Sequence, residues 1–407
     1  MPVTTSKPVS APPIRPFPKI EVPEKELEAL RSRVAATRWP EKETVKDQSQ
    51  GVPLETIQAV ARYWEKEYDW RKIEAKLNAV PHFITQIDGL DIHFIHARSK
   101  HEDALPLIVT HGWPGSIIEQ LKIVEPLTNP TAHGGKASDA FHLVIPSIPG
   151  YGFSGRPTST GWDVAHIARA WTELMHRLGY TRFVAQGGDW GAIITDVLAT
   201  QAPEGLLGIH TNMPGVVPPE IDKAIGAGGP TPPNLSADEA LAYERLKFVY
   251  TKGVGYAYQM GLRPQTLYGI VDSPIGLAAY LLDHDARSLD LISRAFEGEP
   301  TGLTRDDVLD NVTLFWLTNT GLSSSRLYWE RLRELGEFGF FSIKGVSLPV
   351  AVSVFPDELY PAPRSWTEKA YLKLIHFNKV AKGGHFAAWE QPEIFCQEVR
   401  TGLRSLR

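Results

Sequence analysis

The sequence predicts an α/β fold with a mostly parallel central sheet, an inserted helical cap and an N-terminal helical extension. Strand and helix patterns alternate from about residue 83, which is typical of parallel strands joined by crossover helices. The alternation stops between about 215 and 335, where Gly/Pro-rich sequence leads into tyrosine-rich helical patterns. We expect three regions: an extension over 1–80, a core over 81–215 and 336–407, and a cap over 216–335.

Two helical patterns predict the extension. Pro23 begins an amphipathic segment with Leu27, Leu30 and Val34 on one face, at the spacing of three and four that indicates a helix. A second helical pattern covers about 59–77. Both patterns precede the first strong strand signal, and we expect this extension to wrap around the core.

The central sheet begins with a predicted hairpin. From Phe83 the sequence reads as two strands joined at Asp88-Gly89, a pair that tight hairpin turns prefer. The apolar runs at 105–110 and 142–150 then predict strands that are buried on both faces.

A crossover helix and two later strands complete the predicted core. Between Asp163 and Gly179 the apolar residues fall on one helical stripe, with Asp163 as the N-cap and Gly179 as the stop signal. Apolar runs at 347–355 and 373–380 restore the alternation after the cap, and a C-terminal helix closes the sheet.

The composition of the 407-residue chain excludes several classes of protein. With 43% hydrophobic and 22% charged residues, the chain resembles a globular protein with a large core. A net charge of −5 does not favour nucleic acid or an anionic membrane surface as a partner. We also expect no integral membrane segment, because no apolar run approaches the ~20 residues that a membrane-spanning helix needs.

The cysteine content favours a cytoplasmic protein. Cys396 is the single cysteine and cannot form an internal disulfide, and no Cys/His pattern has the spacing of zinc ligands. We therefore expect no metal and no cofactor. The sequence leaves the oligomeric state open, with a homodimer as one alternative.

A motif at 187–191, Gly-Gly-Asp-Trp-Gly, lies between an apolar strand and an amphipathic helix. It matches a nucleophile elbow in which Asp189 replaces the usual serine. A carboxylate attacks a strained or activated sp³ carbon and leaves an alkyl ester, whereas a serine suits acyl transfer. The alternative is that Asp189 only caps the following helix, but the flanking glycines favour the elbow.

Two further segments supply the remaining members of a predicted triad. His385 follows the last predicted strand, where elbow-containing folds carry their catalytic histidine. Asp357 and Glu358 follow the preceding strand, and either carboxylate could orient that histidine. Spacing does not separate these two acids, and both could also be ordinary residues of a solvated turn.

The segment His111-Gly112-Trp113-Pro114-Gly115 directly follows a buried strand. Backbone N–H groups in such a loop and after the nucleophile can form an oxyanion hole. We assign this role to the amides of Trp113 and Trp190.

Together, the motifs HGWPGS, PSIPGYGFS, QGGDWGA, FPDEL and GGHFAAWEQP resemble those of the microsomal-type epoxide hydrolases. The resemblance extends to YWEKEYDWRKIEAKLNAVPHFITQIDGLDIHFIHARS, which is similar to the N-terminal domain of that family. It implies the α/β-hydrolase fold, hydrolysis of hydrophobic epoxides to diols, and a role in detoxification. Because the chain shows no apolar N-terminal helix, it resembles the soluble members.

The resemblance also implies site residues that spacing does not give. Two cap tyrosines would hydrogen-bond the epoxide oxygen, and the matching positions are Tyr256 and Tyr328, with Tyr258 as a competitor for the first. The FPxEL pattern places the catalytic acid at Glu358 rather than Asp357.

These assignments predict a two-step reaction with a small hydrophobic epoxide and water as substrates. Asp189 forms a hydroxyalkyl ester, and His385 then activates a water that hydrolyses it. Aromatic residues near the motifs predict an apolar pocket: Trp113, Phe153, Trp190 and Phe386. The alternatives are a haloalkane dehalogenase, which shares the Asp nucleophile and the elbow, and a catalytically silent protein that binds hydrophobic ligands.

Overall fold

The computed structural model describes residues 12–228, 230–335, 341–342 and 345–407. Residues 1–11 of the predicted extension, and 336–340 at the predicted return from cap to core, lie outside the described residues. Among the helices of the described residues, none has both the length and the apolar character that crossing a bilayer requires.

Within the described residues, nine strands form one sheet in the order β1-β2-β3-β5-β4-β6-β7-β8-β9. The pairs from β5 through β4 to β9 are parallel, and β1, β2 and β3 pair antiparallel at one edge. The α/β-hydrolase fold is therefore confirmed. The strands are β1 Arg15–Pro16, β2 His82–Ile87, β3 Leu90–Ala97, β4 Leu105–Thr110, β5 Phe141–Pro146, β6 Phe183–Gly187, β7 Leu206–Thr211, β8 Val350–Val354 and β9 Leu374–Lys379.

The hairpin predicted at Asp88-Gly89 joins β2 to β3. Both residues have positive φ, 48° and 81°, as the two central residues of a type I′ turn require. The central strands β4 and β5 are almost fully buried along their length, as their continuous apolar sequence predicts.

Helices cover the two faces of the sheet. The predicted crossover helix is α5, Val164–Arg177, in which the Asp163 side chain accepts a hydrogen bond from the His166 N–H and so caps the first turn. Gly179 ends it with a φ of 84°. The helices of the core are α4 Leu121–Thr128, α5 Val164–Arg177, α6 Asp189–Gln201, α15 Arg364–Ala370, α16 Ala387–Glu390 and α17 Pro392–Gly402.

Between β7 and β8, the described segments that belong to regular elements are helical. These helices are α7 Pro219–Gly226, α8 Ala237–Phe248, α9 Gly255–Leu262, α10 Tyr268–Asp272, α11 Pro274–Leu282, α12 Ala286–Glu297, α13 Arg305–Leu317 and α14 Gly321–Leu335. They supply side chains above the carboxyl ends of the parallel strands, where α/β folds place their sites.

The N-terminal region differs from its prediction in two details. Its helices are α1 Glu24–Ala35, α2 Leu54–Lys66 and α3 Trp70–Asn78. The second predicted helix is thus two helices, because Asp69 interrupts the pattern and caps α3 by accepting from the Arg71 N–H. The region also adds β1 to the edge of the sheet, where Arg15 and Pro16 pair with β2.

Candidate active site

The nucleophile elbow connects β6 to α6. Asp189 has a φ of 49°, in the left-handed region that a residue other than glycine rarely adopts. The turn is so tight that a Cβ at Gly191 would overlap the carbonyl oxygen of Thr110, and one at Gly187 would overlap that of Gly191. The two glycines therefore permit the close approach that presents Asp189 at the end of the strand.

His385 lies in the loop after β9, between two carboxylates. Its Nδ1 is 2.5 Å from Glu358 Oε1, and its Nε2 is 3.2 Å from Asp189 Oδ2. Glu358 is itself positioned by the Leu359 N–H, which donates to Oε1 over 2.8 Å. The structure thus brings together three residues from the ends of β6, β8 and β9.

Asp357 does not reach this group. Its side chain is half exposed and lies 3.9 Å from Arg287 Nε, whereas Glu358 is 2% exposed. Neighbouring side chains of an extended segment point in opposite directions, so only one of the two can face the imidazole.

The charges of the triad stabilise one another. Burial raises the pKa of Asp189, but contacts with His284 and His385 outweigh burial and hold that pKa below its usual range. Burial lowers the pKa of His385, yet the carboxylates of Glu358 and Asp189 bring it well above its usual value. The resting site therefore pairs a carboxylate at Asp189 with an imidazolium at His385.

One of the two predicted oxyanion-hole amides contacts the nucleophile directly. Trp113 follows β4, and its N–H donates to Asp189 Oδ1 over 2.7 Å. Trp190 is the residue after the nucleophile, and its ring packs edge-on against that of Tyr328 at 4.7 Å. Asp189 is thus held through Oδ1, while Oδ2 faces the histidine side of the site.

The cap places two tyrosines opposite the nucleophile. The ring of Tyr256 in α9 stacks on that of Trp113 at 4.8 Å, and the rings of Tyr256 and Tyr328 are 6.0 Å apart and nearly perpendicular. Tyr258 points elsewhere, because it is 40% exposed and its hydroxyl donates to the Tyr250 carbonyl oxygen.

Both phenols remain protonated over the ordinary pH range. Burial and the negative charge of Asp189 raise the pKa of Tyr256 well above its usual value, although a hydrogen bond with Tyr328 opposes them. Burial and the electrostatic influence of Tyr256 and Asp189 likewise raise the pKa of Tyr328 well above its usual value. A neutral phenol can donate a hydrogen bond or a proton to an oxygen that becomes negatively charged.

His284, which lies between α11 and α12, was not predicted from the sequence. This histidine is 1% exposed, its Nδ1 is 2.9 Å from Asp285 Oδ2, and its Nε2 is 3.8 Å from Asp189 Oδ2. Its ring stacks on that of His385 at 4.4 Å. The side-chain nitrogen and oxygen atoms of His284, His385 and Asp189 that face one another lie within 4.8 Å.

A signal for His284 was present in the sequence. The histidine stands between Asp283 and Asp285 in an otherwise apolar stretch of the cap, LLDHDA. Three ionisable residues beside a buried helix are uncommon unless they are paired.

A buried acid, Glu119, was also not predicted. It lies after the oxyanion-hole loop, and burial raises its pKa to about 8. A cavity of about 20 Å³ is lined by Glu119, Asp189 and His385 among others. This volume and its polar lining suit a single water molecule.

A larger cavity of about 890 Å³ adjoins α14 but does not include the triad. It is lined by the loop after β5, by residues 262–266, and by Leu327 and Trp329 of α14. Phe153 was predicted to line the apolar pocket, but it packs against Phe17 and His93, away from Asp189. Phe386 does lie at the site, edge-on to His385 at 4.9 Å.

Comparisons with known proteins agree with this geometry. Residues 14–120 match the family model "Epoxide hydrolase N terminus", and residues 106–242 match the model for the alpha/beta hydrolase fold. A putative epoxide hydrolase from Stigmatella aurantiaca is 51% identical over 97% of this chain and 86% of its own length. Epoxide hydrolase 1 from Sus scrofa is 35% identical over 95% of this chain and 88% of its own length.

Two solved structures are similar over nearly the whole chain. Juvenile hormone epoxide hydrolase from the silkworm Bombyx mori has a TM-score of 0.84 and 31% identity, covering 97% of this chain and 95% of the silkworm protein. The Aspergillus niger epoxide hydrolase has a TM-score of 0.80 and 30% identity, covering 98% and 97%. Full-length similarity at these identities shows that the chain belongs to the epoxide hydrolases of the α/β-hydrolase fold.

Proposed function

We propose that this chain converts apolar epoxides to vicinal diols through a covalent ester on Asp189. The contacts of the Asp189 carboxylate are the observation that supports this proposal. Oδ1 is held by the Trp113 amide, Oδ2 faces His385, and two buried phenols lie across the site. No other described carboxylate combines a strained elbow position with these contacts.

In the first step, Asp189 Oδ2 attacks an epoxide carbon and the carbon–oxygen bond of the ring breaks. Tyr256 and Tyr328 hydrogen-bond the departing oxygen, and one phenol gives it a proton. His385 then returns a proton to the phenolate. Because the ester is neutral, the Asp189 charge that raised the pKa of His385 is gone, and the imidazole becomes a base.

In the second step, His385 takes a proton from water, and the hydroxide adds to Cγ of Asp189. The small cavity beside Glu119 is suitably placed for this water. The negative charge that develops on Oδ1 is stabilised by the amides of Trp113 and Trp190. The Cγ–Oδ2 bond then breaks as Oδ2 receives a proton from the site, so that the diol leaves with an oxygen that came from the carboxylate.

The paired phenols favour this chemistry over dehalogenation. A halide leaves without a proton, whereas an alkoxide needs one, and Tyr256 and Tyr328 are acids positioned to provide it. A silent ligand-binding protein would have no need of the charge pairing between Asp189 and His385.

Asp189→Ala tests the nucleophile. We expect the variant to fold and to form no diol, because the ester has no other attachment point. Intact-protein mass spectrometry with styrene oxide should show a covalent adduct on the wild type and none on the variant. Diol formation by Asp189→Ala at the wild-type rate would remove Asp189 from this role.

Isotope labelling tests whether the oxygen added to the diol comes from the carboxylate or from water. A single turnover in heavy-oxygen water, with enzyme in excess, should give a diol that contains mostly ordinary oxygen. Complete labelling of that first product would show direct attack by water. Haloalkanes, terpene epoxides and fatty-acid epoxides in the same assay would define the substrate class.

A cytoplasmic location, a homodimer and the three-region division of the chain stay predictions from the sequence. Light scattering coupled to size-exclusion chromatography tests the homodimer, since it distinguishes the mass of one chain from that of two.

A further inference from the structure

We infer that His284, held by Asp285, is the general acid of ester hydrolysis. In this assignment His385 removes a proton from water, and His284 gives a proton to Asp189 Oδ2 as the Cγ–Oδ2 bond breaks. The inference rests on the proposed ester mechanism and adds a catalytic residue to it.

The first support is geometric. The two imidazoles present their Nε2 atoms to the same oxygen of the nucleophile, at 3.2 Å from His385 and 3.8 Å from His284. That oxygen, Oδ2, forms the bond to substrate and therefore leaves with the diol. The side chain of His284 is 99% buried, and its Nε2 has no hydrogen-bond partner among the described residues, so it is directed at the reacting atom.

The second support is that each histidine has its own carboxylate. Glu358 holds Nδ1 of His385, and Asp285 holds Nδ1 of His284 at 2.9 Å. Asp285 is fixed in turn, because it caps α12 by accepting from the N–H groups of Arg287 and Ser288. A carboxylate on Nδ1 fixes the ring and stabilises a proton on Nε2.

The third support is electrostatic. Burial and the neighbouring His385 lower the pKa of His284, but its contacts with Asp189 and Asp285 outweigh them and raise that pKa above its usual value. Burial alone would raise the pKa of Asp285, yet His284 brings it below its usual range. The charged or titratable groups that surround the His284 ring are Asp189 on α6, Tyr256 on α9, Asp283 at the end of α11, Asp285 before α12, and His385 after β9.

The protons balance over the cycle. Water gives one proton to His385 and its hydroxide to Cγ, and His284 protonates the departing Oδ2. The new carboxylic acid of Asp189 then passes its proton to His284 Nε2. The site returns to a carboxylate between two imidazolium groups, which is the resting arrangement.

His284→Gln is the direct test, because the amide keeps a polar group of similar reach but cannot act as the acid. In single turnovers with styrene oxide we expect alkylation of Asp189 to stay within about threefold of wild type and ester hydrolysis to slow about tenfold or more. The ester should then accumulate as added mass on the intact protein. Hydrolysis at the wild-type rate would overturn the inference.

The pH profile separates an acid from a packing residue. Hydrolysis in the wild type should rise with pH as His385 loses its proton in the ester, and fall at higher pH as His284 loses its own. His284→Gln should keep the rising limb and lose the falling limb. If the falling limb persists unchanged in His284→Gln, it reports the titration of another group and the inference is contradicted.

A pair of matched variants keeps the test decisive should His284→Gln fail to fold. Asp285→Asn removes the carboxylate that raises the pKa of His284, so the falling limb should move to lower pH. Asp283→Asn makes the same chemical change two residues away, where the side chain faces Gly51, and should move the falling limb less than Asp285→Asn does. Identical profiles for the two variants would overturn the inference, whereas an active Asp189→Ala would instead overturn the ester mechanism itself.

Discussion

Asp189 is held by its backbone and by its side chain in ways that an exposed aspartate is not. The elbow gives it a left-handed conformation, and two histidines and one amide surround its carboxylate. Its negative charge raises the pKa of both neighbouring histidines. Alkylation removes that charge, so the same reaction that forms the ester also prepares the groups that hydrolyse it.

Glu358→Gln should separate the two steps of the reaction. Asp189 can attack without Glu358, but a basic and correctly oriented His385 requires it. We expect near-normal alkylation, a loss of about tenfold or more in ester hydrolysis, and ester detectable by mass spectrometry.

The control for this change is Asp357→Asn. The Asp357 side chain is half exposed near Arg287, so the turnover of this variant should stay close to that of wild type. Accumulation of ester in Asp357→Asn but not in Glu358→Gln would transfer the orienting role to Asp357.

At the level of single residues, the sequence predicts the parts of the site that belong to local motifs. Asp189 and His385 lie next to glycine pairs and follow strands, so the short motifs around them are enough to predict their positions in the fold. The choice of Glu358 over Asp357 depends on which neighbour faces inward, and spacing does not contain that information. The pattern around His284 indicates a paired buried histidine, but its closeness to Asp189 arises from the packing of the cap and could not be predicted from spacing.

The cap helices α9 and α14 act together as a support for two phenols. Their packing sets Tyr256 against Trp113 and Tyr328 against Trp190, at ring separations of 4.8 and 4.7 Å. Because each phenol rests on a tryptophan of the oxyanion-hole region, the proton donors and the nucleophile are positioned by one aromatic cluster.

Replacing both Tyr256 and Tyr328 with Phe should be far worse than either single change. One phenol can still polarise the epoxide oxygen when the other is lost, whereas with neither present the alkoxide has no acid. We expect the single variants to lose about tenfold in alkylation rate and the double variant about 10³-fold or more. Stopped-flow tryptophan fluorescence, to which Trp113 and Trp190 contribute beside the substrate, measures this step.

Tyr258→Phe is the control, since that hydroxyl lies on the surface and should not affect alkylation. A double variant that alkylates at the rate of the single variants would show that the phenols are packing residues.

At the level of elements, long periodic segments were predicted and short ones were not. The stripe of α5 and the apolar runs of β4 and β5 carry enough residues for a clear period. β1 has two residues and no period, and it forms a strand only because the edge of β2 is available for pairing. The break between α2 and α3 depends on a single cap at Asp69.

The N-terminal region and the cap are joined by buried polar contacts as well as by apolar packing. Tyr68 donates to Asp310 Oδ1 over 2.8 Å in a buried setting, and Tyr63 donates to Asp306 over 2.7 Å nearer the surface. Burial raises the pKa of Asp310 to about 7, and the bond from Tyr68 partly offsets that effect.

Tyr68→Phe should therefore destabilise the protein. It leaves a buried carboxyl group without its donor, which typically costs about 1–3 kcal/mol. Urea denaturation followed by fluorescence measures the change in the free energy of unfolding. Tyr63→Phe is the matched control, because water can replace its bond to the partly exposed Asp306, and equal losses in the two variants would contradict this account.

The buried ionisable groups also predict how the stability of the whole molecule depends on pH. Several buried histidines, among them His93, His111 and His210, have pKa values lowered by burial, so their contribution to stability grows with pH and is complete above about pH 6.5. Buried carboxyl groups act in the opposite direction. Their pKa values are raised by burial, to about 8 at Glu119 and to about 7 at Asp196.

Above about pH 6.5 the histidine contribution no longer changes, and the carboxyl contribution should dominate. The folded chain then holds protons that the unfolded chain has already lost, so the free energy of unfolding should fall as pH rises to about 8. The imidazolium groups of His284 and His385 add to this fall, because their folded pKa values are raised. Asp189 and Asp285 do not oppose it, since their lowered pKa values contribute stability that is already complete well below this range.

Glu119→Gln isolates one of these protons. The amide has the same shape and no charge, so the variant should lose less stability than wild type between about pH 6.5 and about pH 8, by up to about 1.4 kcal/mol per pH unit. Urea denaturation at several pH values measures this slope, with the exposed Glu41→Gln as the control that should follow wild type. Parallel slopes for Glu119→Gln and wild type would mean that Glu119 is already ionised in the folded protein, and that the group beside the hydrolytic water is a carboxylate.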